Sequence, residues 1–459
     1  MKKFIKVILF ILLVISFATA AFANSAPVYW QGYPSAEILS VDKNSPIEVK
    51  NENLVFDFSN EGDYNHSYEC KVTAEYEMVN PTTEDLSVQM AFPFIESIRT
   101  LSESNIRITA DNELPYEIYV GEIINNYNSD DAEEKNHFEF EKIIETITTD
   151  TYKADNFSDN ETGKLYSIEF KPSSDTDIRV VVDLDFDYGK TKIFAGDFSG
   201  FSREEGKTRL TTWCREPEVM DIYVLGEDAE FNISGYIDGS MNEKTDLYTY
   251  EISEEEIDVK TYLLDVIRNY LHMNFDDISD IQLYNLFAKV MDEQFTNNLG
   301  LSTLDELLTY GSINRLITLV YNVEFPKNSE RTVSVSYKTV GTMDKRNTKE
   351  PLYTYDYILN PAKNWKDFKN LNIKIIPPEE SPYVIKSSIG LNKEGNIYTA
   401  SLENLPEDDF TFTVYYKEKI TFMDKLAGEI DRSLGYIFMF MPFVLGFILI
   451  IAIVVALAI

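Results

Sequence analysis

The chain has 459 residues, 44% of them hydrophobic, which is enough for two or three domains with cores of their own. It carries 41 basic against 77 acidic residues, a formal net charge of -36. A field of that sign repels nucleic acid and anionic lipid headgroups, so neither is an expected partner, while cations and basic partners are permitted.

The N-terminus has the three parts of a secretory signal. Lys2, Lys3 and Lys6 form a positive stretch, VILFILLVISF is the apolar run, and Ala21-Phe22-Ala23 is a small-x-small cleavage site. Residues 1–23 are therefore read as a signal peptide, which sends the following chain outward.

From residue 24 the hydropathy has a period of two. IEVKNENLVFDFS (47–59) places Leu54, Phe56 and Phe58 on one face. SYECKVTAEYEMVN places Cys70, Val72, Ala74, Tyr76 and Met78 on one face, with Glu69, Lys71, Thr73, Glu75 and Glu77 on the other. Asn80-Pro81-Thr82-Thr83 then turns the chain into LSVQMAFPF. Similar runs recur at SNIRITADNELPYEIYV, KLYSIEFKP and EFNISGYI. Alternation bounded by turn residues predicts antiparallel strands covered on one side, in a β-sandwich-like domain over 24–252. The polar stretch 125–142 reads as a surface excursion.

Two acidic runs in this part resemble metal sites. VVVDLDFDYGK (180–190) sets Asp183, Asp185 and Asp187 at alternate positions before Gly189. A calcium loop needs Gly at its sixth position and Glu at its twelfth, but counting from Asp183 those positions hold Tyr188 and Phe194. The aspartates alternate with Leu184, Phe186 and Tyr188, so they form the solvent face of a strand. In GYIDGSMN (235–242), Asp238-Gly-Ser240 approaches an adhesion-type Asp-x-Ser-x-Ser pattern, with Asn242 in place of the last Ser. Asp-Gly is a preferred turn dipeptide, and a hairpin between FNISGYI and DLYTYEI is expected instead.

Near residue 253 the period changes. Ser253-Glu-Glu-Glu256 reads as a capping box ahead of a helical stripe through Val259, Tyr262, Leu263, Val266, Ile267, Tyr270 and Leu271. A second start at Ser279 leads to Leu283, Leu286, Phe287, Val290 and Met291. A third helix follows Ser302, carries Leu304, Leu307 and Leu308, and stops near Gly311. This predicts a three-helix insertion over 253–311. Alternation then returns in NRLITLVYNVEFPKNSERTVSVSYKTVG, PLYTYDYIL, LNIKIIPP and FTFTVYYKEKI, a second β-sandwich-like domain over 312–420. A linker, 421–435, precedes YIFMFMPFVLGFILIIAIVVALAI (436–459). These 24 uncharged residues are long enough to cross about 30 Å of hydrocarbon even with Pro442 among them. One C-terminal transmembrane helix is expected.

The chemistry-bearing residues are sparse. His66, His137 and His272 have no zinc-ligand spacing, and Cys-x-x-Cys, phosphate-loop and Gly-x-Ser-x-Gly motifs are absent. No metal or cofactor is expected, and no catalytic residue is assigned. An exported location permits a disulfide between Cys70 and Cys214, with two buried thiols as the alternative.

VTAEYEMVNPTTEDLSVQMAFPF (72–94), an alternating strand, an Asn-Pro turn and a strand ending in Phe-Pro, resembles the opening of vault and inter-alpha-trypsin-inhibitor type domains. It resembles more closely the exported bacterial membrane-anchored β-sandwich proteins of unknown function that share that opening. LNPAKNWKDFKNLNIKI, with Trp365 and Phe368, is similar to a later segment of such proteins. The resemblance implies a β-sandwich and brings no site residues. The sequence thus predicts a mainly β, extracytoplasmic protein on a single membrane span. Its expected role is non-enzymatic binding of a protein, ligand or envelope polymer at the outer face of the cell membrane. The alternatives are an envelope-processing hydrolase with a carboxylate site and an accessory subunit of a membrane complex.

Overall fold

The computed structural model describes residues 27–59, 63–64, 66–125, 136–173, 175–204, 207–270 and 278–430. The expected signal peptide and transmembrane helix lie outside the described residues. Among the described residues no helix is long and apolar enough to cross a membrane. The fold is mainly β. Its longer elements, in chain order, are β1 (Glu48–Asp57), β2 (Ser67–Asn80), β3 (Leu86–Glu96), β4 (Glu117–Ile123) and α1 (Phe140–Thr146). Then come β5 (Thr162–Pro172), β6 (Ile178–Asp185), β7 (Thr191–Ala195), β8 (Lys207–Cys214), β9 (Glu218–Gly226), β10 (Glu230–Tyr236) and β11 (Tyr248–Asp258). Three helices follow, α2 (Val259–Tyr270), α3 (Asp280–Asn297) and α4 (Leu304–Gly311). The chain continues through β12 (Arg315–Phe325), β13 (Ser329–Val340), β14 (Leu352–Ile358), β15 (Leu371–Ile376), β16 (Ile397–Leu402) and β17 (Phe410–Tyr415).

The organising feature is a pair of nested arches. β2 and β3 are joined at Asn80–Asp85 but belong to different sheets, and so do β12 and β13, joined at Pro326–Asn328. The arches stack, with β2 pairing β13 from Asn80↔Ser329 to Glu69↔Val340 and β3 pairing β12 from Leu86↔Phe325 to Glu96↔Arg315. The fully buried Asn80 side chain binds the two corners together. Its amide donates to the carbonyls of Glu84 (2.8 Å), Phe325 (3.1 Å) and Pro326 (3.2 Å). Its oxygen accepts from the Thr82 amide at 3.0 Å and the Thr82 hydroxyl at 2.7 Å.

This pairing corrects the expected division at residues 252 and 312. Strands assigned to separate N- and C-terminal sandwiches are direct partners in one, because alternation fixes which face a strand buries and leaves its partner open. The sandwich is also mixed rather than purely antiparallel, since β1 and β15 pair in parallel from Glu52↔Leu371 to Asp57↔Ile376. Aromatic rings fill the space between its sheets. Phe56 meets Phe412 edge-on at 5.0 Å, and Phe58 meets Tyr355 at 4.9 Å.

Strands β5 to β11, together with the short strands Gly200–Glu204, Lys244–Thr245 and Leu301–Thr303, form two five-stranded sheets over a separate core that includes Phe170, Val180, Val182, Leu210 and Ile222. This smaller sandwich interrupts the larger one. The three expected helices are present and lie between the two. Val259, Tyr262, Leu263, Val266 and Ile267 of α2, Leu283, Leu286, Phe287, Val290 and Met291 of α3, and Leu304 and Leu307 of α4 are buried, while Leu308 is partly exposed and Leu271 lies outside the described residues. Tyr262 of α2 stacks on Tyr223 of the small sandwich at 4.1 Å. Gln282 of α3 donates to the Thr148 carbonyl at 2.6 Å.

The start of α2 departs from expectation. Ser253 and the three glutamates after it stay in β11, paired with β5, and the strand runs on to Asp258. Asp258 caps the helix instead, accepting from the Thr261 amide at 2.9 Å and the Thr261 hydroxyl at 2.7 Å. Cross-strand bonding outweighed the local capping preference. Within the expected linker, residues 422–430 are helical and 431–435 lie outside the described residues.

Candidate functional site

A cleft of about 550 Å³ opens beside the arches. Cavities of roughly 300–1,000 Å³ suit small ligands. One part of its lining is the strap of residues 29–35, which runs from the edge of the ten-stranded sheet into it. Tyr29 and Trp30 pair with Asp344 and Met343, and Ser35 lies beside Phe94 and Tyr357. The strap sits this close because Gly32 meets Gly341. A Cβ on Gly32 would fall 2.5 Å from the carbonyl carbon of Gly341. The Gly32 amide donates to the Thr342 hydroxyl at 3.1 Å, which fixes the strap's height. Tyr29, Trp30 and Tyr33 are thereby brought to the cleft, next to Phe94, Ile95 and Ile106.

Its polar side comes from the end of β3 and the turn after it. Glu96 closes β3 and gathers the turn, accepting from the Ser97 amide at 2.9 Å and the Thr100 hydroxyl at 2.5 Å through Oε1. Its Oε2 accepts from the Ser104 hydroxyl at 3.3 Å. Burial holds the Glu96 carboxyl above its usual range, against the opposing pull of these donors. The residue across from it on β12, Arg315, sends Nη1 to the Gly121 carbonyl at 3.5 Å. Lys338 also lines the cleft, with its ammonium 2.5 Å from Glu69 Oε1.

Beneath this floor lies a second polar group. The hydroxyls of Ser35 and Tyr337, both cleft residues, are hydrogen-bonded to each other. Further in, Tyr76 donates to Glu37 Oε2 at 2.6 Å and lies 3.4 Å from the Tyr357 hydroxyl. Glu37 and Glu52 are both fully buried, and Glu37 Oε1 and both carboxyl oxygens of Glu52 have no hydrogen-bond partner among the described residues. Burial pushes Glu37 up to about 7 and Glu52 well above the carboxylate range, with the charge of Glu37 raising Glu52 further. Glu52 faces inward because it alternates in phase with Leu54 and Phe56, and the bulge between Val49 and Asn51 brings Val49 to the same face. The pair has no exposed surface. It is a structural element that no substrate reaches.

No protein-family model matches the chain, and no curated protein is similar to it. Among solved structures, the crystal structure of a Legionella pneumophila protein provisionally described as nutrient binding is similar at 10% identity. It matches with a TM-score of 0.31 over 85% of this chain and 73% of that one. A likeness at that level carries no argument, so the cleft has to be read from its own residues.

The residues singled out in the sequence lie elsewhere. Asp183 is bound by Arg209 at 2.7 and 3.1 Å, and Asp185 lies 3.1 Å from Lys207. Asp187 accepts from the Gly189 amide at 3.0 Å. The three project from a strand and its following turn, and among the described residues no His, Cys, Asp and Glu group could hold a metal. Asp238 closes a turn by accepting from the Asn242 amide at 3.0 Å and the Glu243 amide at 2.9 Å. The turn leads into the short strand Lys244–Thr245, while DLYTYEI pairs with β5. Cys70 and Cys214 carry no disulfide and lie in the cores of the larger and the smaller sandwich. His137 Nδ1 is 2.8 Å from Glu122, His66 is exposed, and His272 lies outside the described residues.

The cleft residues were missed for definite reasons. Trp30, Tyr33 and Glu96 come from strap, strand end and turn, where periodicity is silent. Glu52 did carry a signal, being in phase with Leu54, Phe56 and Phe58 on a face that should be apolar.

Proposed function

We propose that this chain is a non-enzymatic binding protein that holds a small ligand in the cleft beside Trp30 and Glu96, displayed at the outer face of a membrane by a C-terminal span. The observation that carries the binding part is the cleft itself, with aromatic rings and a few convergent polar groups around a ligand-sized volume. The export signal and the apolar segment 436–459 support the placement. The hydrolase alternative gains nothing from the paired acids Glu37 and Glu52, which are sealed from any substrate.

Two experiments test the two parts. Thermal-shift screening against small amines, sugars and carboxylates should give stabilisation that Ile106→Trp, which fills the cleft, removes; the ligand should be recovered unchanged. Stabilisation that survives Ile106→Trp, or chemical conversion of the ligand, would overturn the binding reading. Protease treatment of intact cells should degrade residues 24–430 while cytosolic markers survive. Protection of that region would overturn the placement.

A further inference from the structure

We infer that the cleft takes a ligand bearing a protonated amine attached to an aromatic or aliphatic body. This rests on reading the cleft as a binding site and adds the chemistry of what it binds.

Charge is the first reason. Glu69, Glu96 and Glu103 line the cleft with Lys338, whose ammonium is already held by Glu69 at 2.5 Å. An anionic ligand would be repelled by the Glu96 carboxylate, and a cationic one would be attracted to it. Glu96 sharpens this. Its donors at 2.5, 2.9 and 3.3 Å are two hydroxyls and an amide, all uncharged, and Arg315 turns to Gly121. A carboxylate withdrawn from water and served by neutral donors gains most from a cation, because a charge-assisted hydrogen bond is about twice as strong as a neutral one.

The aromatic wall is the second reason. Trp30 and Tyr33 add aromatic rings to the lining, which attract cations through the ring quadrupole and also bury an apolar body. Tyr29, in the same lining, already holds a cation of the protein, the Arg346 guanidinium 4.2 Å over its ring. Neutral sugars would use the ring faces and leave the carboxylate uncompensated. The net charge of -36 concentrates cations around the molecule as a whole.

The test is calorimetric titration of the full-length chain in mild detergent with three probes of equal size: phenethylamine, 2-phenylethanol and phenylacetate. Phenethylamine should bind at least about tenfold more tightly than 2-phenylethanol, with phenylacetate weakest. Glu96→Gln should bring the affinities for amine and alcohol to within about twofold of each other, and Ile106→Trp should abolish binding of all three. Equal affinity for amine and alcohol, or an amine preference that survives Glu96→Gln, would overturn the amine assignment and leave the cleft as a binding site. Failure of every probe to bind in a manner that Ile106→Trp removes would overturn both.

Discussion

Tyr76 donates its phenolic hydrogen to Glu37 at 2.6 Å inside a core where Glu37 itself has no exposed surface. This bond and the neighbouring Glu52 make the sandwich sensitive to pH in the direction opposite to ordinary carboxylates. With the folded value of Glu37 at about 7, above its unfolded value, the contribution is fully present below about pH 4.5. It is lost as pH rises through about 7. The loss is on the order of 3 kcal/mol. Glu37→Gln keeps an acceptor for Tyr76 and removes the titration. Measured by urea unfolding, the variant should gain stability relative to the parent between pH 4.5 and 8. Parallel curves for the two proteins would contradict this account.

Asn80 serves both arch corners with one side chain. Asn80→Ala would leave the buried carbonyl of Phe325 without this donor and release the turn at Thr82. The expected cost is about 2–3 kcal/mol, read as a lower urea midpoint with an unchanged slope. A change below about 0.5 kcal/mol would mean that the corners are held by other contacts.

The two candidate starts of α2 can be told apart by substitution. Asp258→Ala should cost about 1 kcal/mol through loss of the cap to Thr261. Ser253→Ala, on the exposed face of β11, should change stability by less than about 0.5 kcal/mol. The reverse ranking in denaturant unfolding would restore the capping box.

The acidic strand face should behave as surface. Asp183→Asn disrupts a partly exposed ion pair with Arg209 and should cost at most about 1 kcal/mol. Millimolar calcium should leave the melting temperature of the parent and the variant alike. A calcium-dependent shift lost in Asp183→Asn would reinstate a metal site there.

These residues also mark what the sequence could reveal. Strand faces were legible, because Cys70, Val72, Ala74, Tyr76 and Met78 are all buried as their alternation requires. The stripe of α3 and the stop of α4 at Gly311 were legible for the same reason of period and cap. Partner choice was not, since Asn80 meets Phe325 across 245 positions that no local pattern connects. The cleft was the least visible part. It depends on Gly32 approaching Gly341 and on Glu96 gathering a turn, both long-range or irregular features. Glu52 was the one residue whose phase already conflicted with its chemistry.

Native mass spectrometry of the protein extracted from its own membranes in mild detergent tests ligand binding most directly. Wild type and Ile106→Trp would be compared after confirming equal melting temperatures. Wild type should carry an added small-molecule mass that is released intact on activation and is missing from the variant. Identical bare masses for the two, or an adduct retained by both, would contradict binding in the cleft beside Trp30 and Glu96.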